Sequence, residues 1–481
     1  MLKIKDEFLH HLLSIVVENG VKRVKEVVSQ KLYLSTYPKY PRIYYAKPNG
    51  MPSIESSLTS YGDNVPIYYE TFFTKYKGKQ DIDITQISGY EEYKDYMIKS
   101  EHISFYFKAT TGQHIEKQIE GISEYKIQDI AQSLIQRYMY ISGDEDYNQE
   151  RFNNIYQSFE NCIYTDKLPL EIHVPILFTH FNFEEYKLND RISVVKMDDD
   201  FQKSRINKTY YPIQIPSTVL ESATHAFVMK GLEFRNASYY MINKVFSKPQ
   251  SYAQFEINTF INTLRVATNI NTGYAQLLAK PVLWAPSYEA DLMPLLGTTI
   301  KNYPSHFDVD YWAYPTYPQV TLKEMEKVQE VFNKLVTTED KKIHLASRRL
   351  HQCYMREDEA DSILDATIAM EALMTDGEHG ELTHKLALRM AALLKLSTEV
   401  NMDTIEVFKA VKQIYAYRSS VVHGSTKASS KREIKLPSGE PIPTLELAIK
   451  LIQSSIQVLI DNPKYLNAKK IDEELLLQDE R

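Results

Sequence analysis

The sequence predicts an α+β N-terminal region followed by an all-α C-terminal region. Before residue 315, segments rich in β-branched and aromatic residues alternate with segments whose apolar residues recur every three or four positions. These two patterns are typical of strands and helices, respectively. From Leu322 onward only the helical recurrence remains. The prolines Pro315 and Pro318 interrupt both patterns, so we expect one domain over residues 1–315 and a second over residues 321–481.

The N-terminal region is expected to begin with a helix over residues 1–34, where apolar residues recur at helical steps. Residues 36–66 are rich in Pro, Ser, Tyr and Gly and are predicted to form a loop. Further helices are predicted at Lys126–Tyr140, Ser217–Phe234 and Ala253–Asn271. Strands are predicted at His102–Ala109, Leu170–Phe178, Arg191–Met197 and Asp308–Tyr314. We interpret the three aspartates that follow Met197 as turn residues rather than metal ligands.

The C-terminal region is predicted to be helical throughout. Candidate helices span Leu322–Val336, Lys342–Met355, Glu357–Met374, Glu381–Leu396, Met402–His423 and Thr444–Ile460. The segment 425–443 is polar and contains three prolines, so it is predicted to be a linker at the end of the fifth of these helices.

Composition and charge narrow the class of protein. The 481 residues carry a formal net charge of −7. This charge argues against broad, sequence-independent duplex binding, which depends on a basic surface that releases counterions. No stretch of eighteen apolar residues occurs, and the N-terminus lacks a cleavage site typical of signal peptides, so we expect a cytoplasmic protein. Cys162 and Cys353 are isolated in the sequence and are predicted to be buried thiols rather than zinc ligands or disulfide partners.

The most informative stretch is Ile414–Gly424, with the sequence IYAYRSSVVHG. It closes a helical pattern, and Gly424 is a typical residue to end a helix. Arg418 can bind a phosphate through a planar set of donors. His423 carries an imidazole, a group that exchanges protons near neutral pH. An arginine and a histidine are sufficient to cleave a phosphodiester of RNA without a metal, because RNA carries its own 2′-hydroxyl nucleophile.

Three ordered blocks place this stretch in a family context. Asp361–Met374 (DSILDATIAMEALM), Gly380–Leu396 (GELTHKLALRMAALLKL) and IYAYRSSVVHG resemble, in order and spacing, the Apea-like branch of the HEPN superfamily. The resemblance covers the last third of the chain. It implies a HEPN helical bundle, a homodimer through that bundle, and a metal-independent endoribonuclease without a cofactor. By analogy with such bacterial proteins, we expect a toxin or an antiviral abortive-infection effector, whose N-terminal region senses a phage or cellular trigger.

The resemblance assigns Arg418 and His423 as catalytic residues. Ser419 and Tyr415 are candidate supporting residues, although the residue after the arginine is commonly Asn, Asp or His in active members of the family. Glu371 and Arg389 each lie in an apolar helical pattern. We expect them to form a buried ion pair with each other; alternatively, Glu371 orients Arg418.

Basic residues around these blocks are candidate contacts for the RNA backbone. The candidates are Lys341, Lys342, Arg348, Arg349, Lys427, Lys431 and Arg432. Two alternatives remain open. His423 could have only a structural role, in which it pairs with the last carbonyls of its helix. Arg418 could likewise form only a structural ion pair with a carboxylate. The bundle could also be a catalytically silent dimerisation or RNA-binding scaffold, with the specific interaction made by the N-terminal region.

Overall fold

The computed structural model describes residues 4–31, 42–47, 51–55, 67–75, 80–108, 121–143, 145–207, 215–246, 253–268, 270–310, 318–376, 381–425, 428–435 and 440–477. The chain forms two compact units, each built from separate stretches. The first comprises Met1–Pro175, Arg191–Ala253 and Gln276–Ile300, and the second comprises Ile176–Asp190, Gln254–Ala275 and Lys301–Arg481. Residues 315–321, where we placed the domain boundary, lie within the second unit; that boundary stays a prediction.

The helices follow one another along the whole chain. They are α1 (Glu7–Gln30), α2 (Glu70–Phe73), α3 (Tyr90–Lys99), α4 (Glu101–Phe107), α5 (Glu124–Ser142), α6 (Gln149–Tyr164), α7 (Asp199–Asn207), α8 (Ser217–Glu221), α9 (Tyr239–Phe246), α10 (Gln254–Thr268), α11 (Phe307–Asp310), α12 (Leu322–Thr337), α13 (Lys341–Met355), α14 (Glu359–Met374), α15 (Leu382–Leu393), α16 (Thr404–Val422), α17 (Thr444–Asp461) and α18 (Ala468–Ile471). Short 3-10 turns lie at Ile84–Gln86, Leu394–Leu396, Ser429–Lys431 and Pro463–Leu466, and a π-helical turn at Asp472–Leu476.

The longer strands lie before residue 303. The strands are β1 (Arg42–Ala46), β2 (Pro52–Glu55), β3 (Lys167–Pro175), β4 (His180–Phe181), β5 (Glu185–Lys187), β6 (Ile192–Lys196), β7 (His225–Arg235), β8 (Tyr274–Pro281), β9 (Leu296–Asn302), β10 (Gln319–Val320), β11 (Glu433–Ile434) and β12 (Ile442–Pro443). β6, β7, β3, β8 and β9 lie side by side in that order, as part of a six-stranded sheet. β3 is antiparallel to both β7 and β8. The predicted order of a mixed region followed by a helical region is therefore confirmed.

In the first unit, α1 begins at Asp6, whose side chain accepts a hydrogen bond from the Leu9 amide at 2.9 Å. This is a typical N-cap. The apolar face of α1 packs closely on α5: a Cβ atom added at Gly20 would lie 2.3 Å from Cδ1 of Ile135. Glycine at this position therefore allows the two helices to approach each other.

Most predicted elements of the N-terminal region are confirmed. α1, α5 and α10 correspond to the predicted helices 1–34, Lys126–Tyr140 and Ala253–Asn271, and β3 and β6 to two of the predicted strands. Cys162 and Cys353 are both buried and free, as predicted. Among the described residues, no helix combines the length and the apolar character that crossing a bilayer requires.

The predicted strand at His102–Ala109 is wrong. Most of this segment forms α4, and Ser100 accepts a hydrogen bond from the Ile103 amide as its N-cap. Ile103 and Tyr106 are buried and Phe105 is 71% exposed, which is the three-residue spacing of a helix rather than the alternation of a strand. Aromatic content alone had indicated a strand, but the N-cap and the packing favoured a helix.

The predicted helix at Ser217–Phe234 is also wrong. Only Ser217–Glu221 is helical, and His225–Arg235 is the central strand β7. Because β7 is flanked by β3 and β6, pairing on both sides outweighs its local helical pattern.

Two further predictions fail in part. The first residues of the predicted strand Asp308–Tyr314 belong to α11, and residues 311–317 lie outside the described residues. The predicted loop 36–66 contains the antiparallel pair β1 and β2.

The second unit contains the predicted C-terminal helices, and α12 to α17 match all six. N-cap side chains accept backbone hydrogen bonds at the start of α12, α13, α14 and α16. Thr321 and Asp403 each form a capping box, with Glu324 and Glu406 respectively, and Asp340 caps α13. Apolar residues of α12 to α17 form one buried core, which also includes Val266 of α10. The linker 425–443 includes the small antiparallel pair β11 and β12.

A buried carboxylate joins α13 to α14. Asp365 is 4% exposed; its Oδ1 accepts a hydrogen bond from Nη1 of Arg349 at 2.7 Å, and its Oδ2 accepts one from Nε of Arg356 at 3.0 Å. Both donors are charged, which makes these hydrogen bonds strong ones. Arg349 of α13 and Arg356, the residue that follows α13, are therefore part of the bundle's internal structure.

We predict that Asp365→Asn lowers the free energy of unfolding by about 2 kcal/mol, because the buried negative charge is lost and one of the two arginines faces an NH2 group instead of an acceptor oxygen. Urea denaturation monitored by circular dichroism measures the change. The matched control is Asp361→Asn, an exposed aspartate of the same helix, which is expected to change stability by less than about 0.5 kcal/mol. Equal effects of the two substitutions would contradict a stabilising role for Asp365.

Candidate functional site

The end of α16 brings the predicted catalytic residues to the surface of the second unit. The helix ends at Val422, and His423 has left the helical conformation, with φ −92° and ψ 10°. Gly424 follows with φ +59°, a left-handed conformation that glycine adopts without the steric cost of a Cβ atom. The Gly424 amide donates to the Val421 carbonyl at 3.1 Å, and the Ser425 amide to the Ser420 carbonyl at 2.8 Å. This termination matches the predicted helix end.

Arg418 is a half-buried cation whose charge is not neutralised by any carboxylate of the described residues. Its Nε atom is buried and has no hydrogen-bond partner among these residues. A buried donor of a charged group without a partner costs free energy. Arg418 therefore retains donors for an anion, and the predicted alternative of a structural ion pair has no partner in the part of the chain that is described.

Tyr415 interacts with both Glu371 and Arg418, with Glu371 by a hydrogen bond and with Arg418 electrostatically. Its hydroxyl donates to Oε1 of Glu371 at 3.1 Å and lies 3.5 Å from the Thr367 carbonyl. Burial raises the pKa of Tyr415 well above its usual value, the carboxylate of Glu371 raises it further, and the charge of Arg418 opposes both effects. The hydroxyl therefore stays protonated and positions Glu371, so Glu371 and Arg418 belong to one cluster through Tyr415 rather than through a direct ion pair.

The predicted ion pair between Glu371 and Arg389 is wrong. Arg389 is buried and forms a two-point interaction with Asp472: Nε donates to Oδ1 at 2.8 Å and Nη2 to Oδ2 at 2.6 Å. Its Nη1 donates to the Met374 carbonyl at 2.9 Å. Because Asp472 lies 83 positions further along the chain, the pattern of α14 and α15 alone could not identify this partner.

His423 and Ser419 are both exposed. Ser419 lies in the last turn of α16, and its carbonyl accepts the His423 amide at 3.1 Å. Five helical positions separate Arg418 from His423, a rotation of about 140° on an ideal helix. The two side chains therefore do not share one face of α16, although His423 has more freedom as the cap residue.

The segment after α16 supports this helix end. Nζ of Lys431 donates to Oγ of Ser420 at 2.6 Å and to the Ala416 carbonyl at 3.1 Å. A cation near the last carbonyls of a helix is favourable. Nε of Arg432 lies 3.4 Å from Oε2 of Glu359. Both predicted RNA contacts thus have intramolecular partners, and Lys427, a third, lies outside the described residues.

The predicted RNA contacts of α13 fall into two groups. Arg349 pairs with Asp365, and Lys342 pairs with Asp376 at 2.5 Å and donates to the Leu466 carbonyl at 2.8 Å. Lys341 and Arg348 have no carboxylate partner among the described residues, and both line a cavity of about 850 Å³ between α10 and α13. Their role in RNA binding stays a prediction.

The sequence patterns described above did not predict this cavity. Three amides of α10, Gln254, Asn258 and Asn262, line it. They are spaced by four residues, which places them along one face of the helix. This amide stripe is the signal that could have indicated a polar site on α10. It could not have shown that α13 lies opposite.

The turn that we expected at Asp198 and its two neighbours is instead the start of a helix, because Asp199 and Asp200 lie in the first turn of α7. Oδ1 of Asp198 accepts the Phe201 amide at 2.7 Å, at the start of α7. Within the described ranges, no three His, Cys, Asp or Glu side chains are grouped as metal ligands would be.

Comparisons with protein-family models, with curated proteins and with solved structures found no match for this chain. The function is therefore argued from the motif in α16 and from the geometry of the second unit.

We predict that Tyr415→Phe lowers the free energy of unfolding by about 1 kcal/mol, because the half-buried Glu371 carboxylate loses the donor that it has in the described structure. Differential scanning calorimetry and urea denaturation test this change. Tyr125→Phe is the control, because the Tyr125 side chain is 78% exposed and its substitution is expected to be neutral. A stability of Tyr415→Phe equal to that of the wild type would show that the hydrogen bond does not stabilise the site.

Proposed function

We propose that the second unit is a HEPN-type endoribonuclease that cleaves RNA without a divalent metal. The observation that supports this most directly is Arg418: a half-buried cation without a carboxylate partner among the described residues, in the last turn of the helix that His423 caps. A free guanidinium provides several donors in one plane, which suits the oxygens of a phosphodiester.

The reaction follows from the chemistry of RNA. The 2′-oxygen attacks the adjacent phosphorus and loses its proton to a base, while the bond from phosphorus to the 5′-oxygen breaks and that oxygen gains a proton from an acid. The products are a 2′,3′-cyclic phosphate and a 5′-hydroxyl, and no water is consumed. Arg418 stabilises the charge that develops on the phosphoryl oxygens, and the His423 imidazole serves as the acid or the base.

A second copy of the chain completes the site in this proposal. One imidazole cannot accept one proton and donate another at the same moment, and Arg418 and His423 are separated by about 140° around an ideal helix. Two copies that meet through the helical bundle bring two histidines and two arginines to one RNA strand. The supporting roles go to Tyr415 and Glu371, which hold the side of α16 next to Arg418 in place.

The biological role that we propose is that of a toxin or antiviral effector, triggered through the N-terminal region. Cleavage of cellular RNA would stop growth, which is the effect expected of such an effector. This role rests on the family resemblance of the C-terminal third and on analogy.

We predict that the wild-type protein cleaves single-stranded RNA in the presence of EDTA and leaves 2′,3′-cyclic phosphate ends. His423→Ala and Arg418→Ala are each expected to lower the cleavage rate by about 100-fold or more, because each removes a group needed in the transition state. Gel electrophoresis of end-labelled RNA, with mass spectrometry of the ends, measures both effects.

Lys412→Ala is the matched control, because Lys412 is an exposed cation of the same helix. It is expected to cleave at the wild-type rate. Light scattering on every variant measures whether the dimer is retained. If all variants cut equally, the residues named here are not the catalytic ones. If the wild type binds RNA as a dimer and leaves it intact, with and without Mg²⁺, the silent scaffold is the correct alternative.

A further inference from the structure

The cavity between α10 and α13 is lined by cationic side chains, and it does not include Arg418 or His423 of the proposed nuclease site. Lys341 and Arg348 line it, and so does Lys301, which also pairs with Asp308 at 2.7 Å. Among the described residues that line the cavity there is no aspartate or glutamate. Lys341 and Arg348 are seven positions apart on α13, which places them on one face about 10 Å apart. Two long cationic side chains at this spacing can both reach one ligand.

Side-chain amides form one wall of the cavity. In the amide stripe of α10, Nε2 of Gln254 donates to Oδ1 of Asn258 at 3.1 Å, and Nδ2 of Asn262 donates to the Ser347 carbonyl at 3.0 Å. Oδ1 of Asn262 is buried without a hydrogen-bond partner among the described residues. An unsatisfied buried acceptor is uncommon in folded proteins and indicates a position where a ligand or water can bind.

His351 adds a neutral donor. Its Nδ1 lies 3.1 Å from Nη1 of Arg265, and because a guanidinium can only donate, Nδ1 must accept. Burial and the charge of Arg265 lower the pKa of His351 to about 3, so the imidazole is neutral at pH 7 and carries its proton on Nε2. His351 lines the cavity and can therefore donate to an anion.

Arg265 gives an independent reason to expect an anion. It is fully buried, its guanidinium lies 4.5 Å from the centre of the Tyr354 ring, and its Nη2 donates to the Thr272 carbonyl. Its Nε has no partner, and no carboxylate pairs with it in the described ranges. A buried cation without a counter-charge is costly. Because the imidazole of His351 lies between Arg265 and the cavity, an anion bound to His351 would be close enough to lower that cost.

Part of the remaining wall is apolar. Phe255 is 47% exposed, and its ring packs edge-on against His344 with 5.3 Å between the ring centres. Leu345 and Met355 also line the cavity. A mixture of apolar surface and a few convergent polar groups, in a volume of about 850 Å³, is typical of sites for small molecules.

We infer that the cavity between α10 and α13 is a binding site for a small phosphorylated molecule, with its phosphate held by Lys341, Arg348 and His351. The amide stripe and Phe255 contact the rest of the ligand. The site is separate from Arg418 and His423, and the inference does not depend on the nuclease proposal, because binding can be measured without cleavage.

Isothermal titration calorimetry on the full-length protein tests this inference. The probes are pyrophosphate, ribose 5-phosphate and adenosine 5′-monophosphate. At least one is expected to bind with a Kd below about 1 mM, and Arg348→Ala and Lys341→Ala are each expected to weaken its binding by about 10-fold. Lys409→Ala removes an exposed cation from α16 and is the matched control, expected to bind as the wild type does.

Three outcomes would overturn the inference. The first is that the folded wild type binds none of the probes, and the second is that all variants bind equally well. The third is that Arg348→Ala and Lys341→Ala lose RNA binding while no small probe binds. The third outcome would assign the cavity to an RNA strand. Circular dichroism of each variant shows whether it is folded. The cleavage assay on the same variants separates failure of this inference from failure of the nuclease proposal.

Discussion

Burial of one face of α16 is the constraint on which the candidate site depends. Val407, Ala410, Val411 and Ile414 lie in the core of the second unit and are at most 2% exposed, so the helix cannot rotate without exposing them. Tyr415 extends this contact to α14 through its hydrogen bond to Glu371. Because these interactions determine which side of the last turn faces solvent, Arg418 is held half-buried and its neighbour Ser419 is exposed.

The second unit places most of its basic residues in structural roles. Asp365 and Asp472 accept hydrogen bonds from arginines of α13 and α15 and from Arg356, and Lys431 contacts the end of α16. Three cations that combine a position at a candidate site with the lack of a carboxylate partner in the described chain are Arg418 at the end of α16, and Lys341 and Arg348 beside α10. At these positions no internal carboxylate of the described residues competes with an anion.

The parts of the fold that could be predicted were those that depend on interactions between residues close together in the sequence. The six C-terminal helices followed from apolar periodicity, and in the structure four of them also begin at an N-cap side chain that interacts within three positions of the sequence. α4 and β7 were predicted incorrectly for opposite reasons. In α4, a serine cap and burial every third residue outweighed aromatic content. In β7, pairing with two neighbouring strands outweighed a helical pattern, because strand pairing depends on residues far away in the sequence.

The sequence by itself determined the helices of the second unit and the end of α16 just before Gly424, since short-range hydrogen bonds and backbone preferences control these features. Only the tertiary structure decided the partners of the buried charges and the location of the cavity. Arg389 meets Asp472 rather than Glu371, and Asn262 meets Ser347 across 85 positions. Such contacts depend on how helices pack, and many residues distant in sequence could have satisfied the same charge or amide.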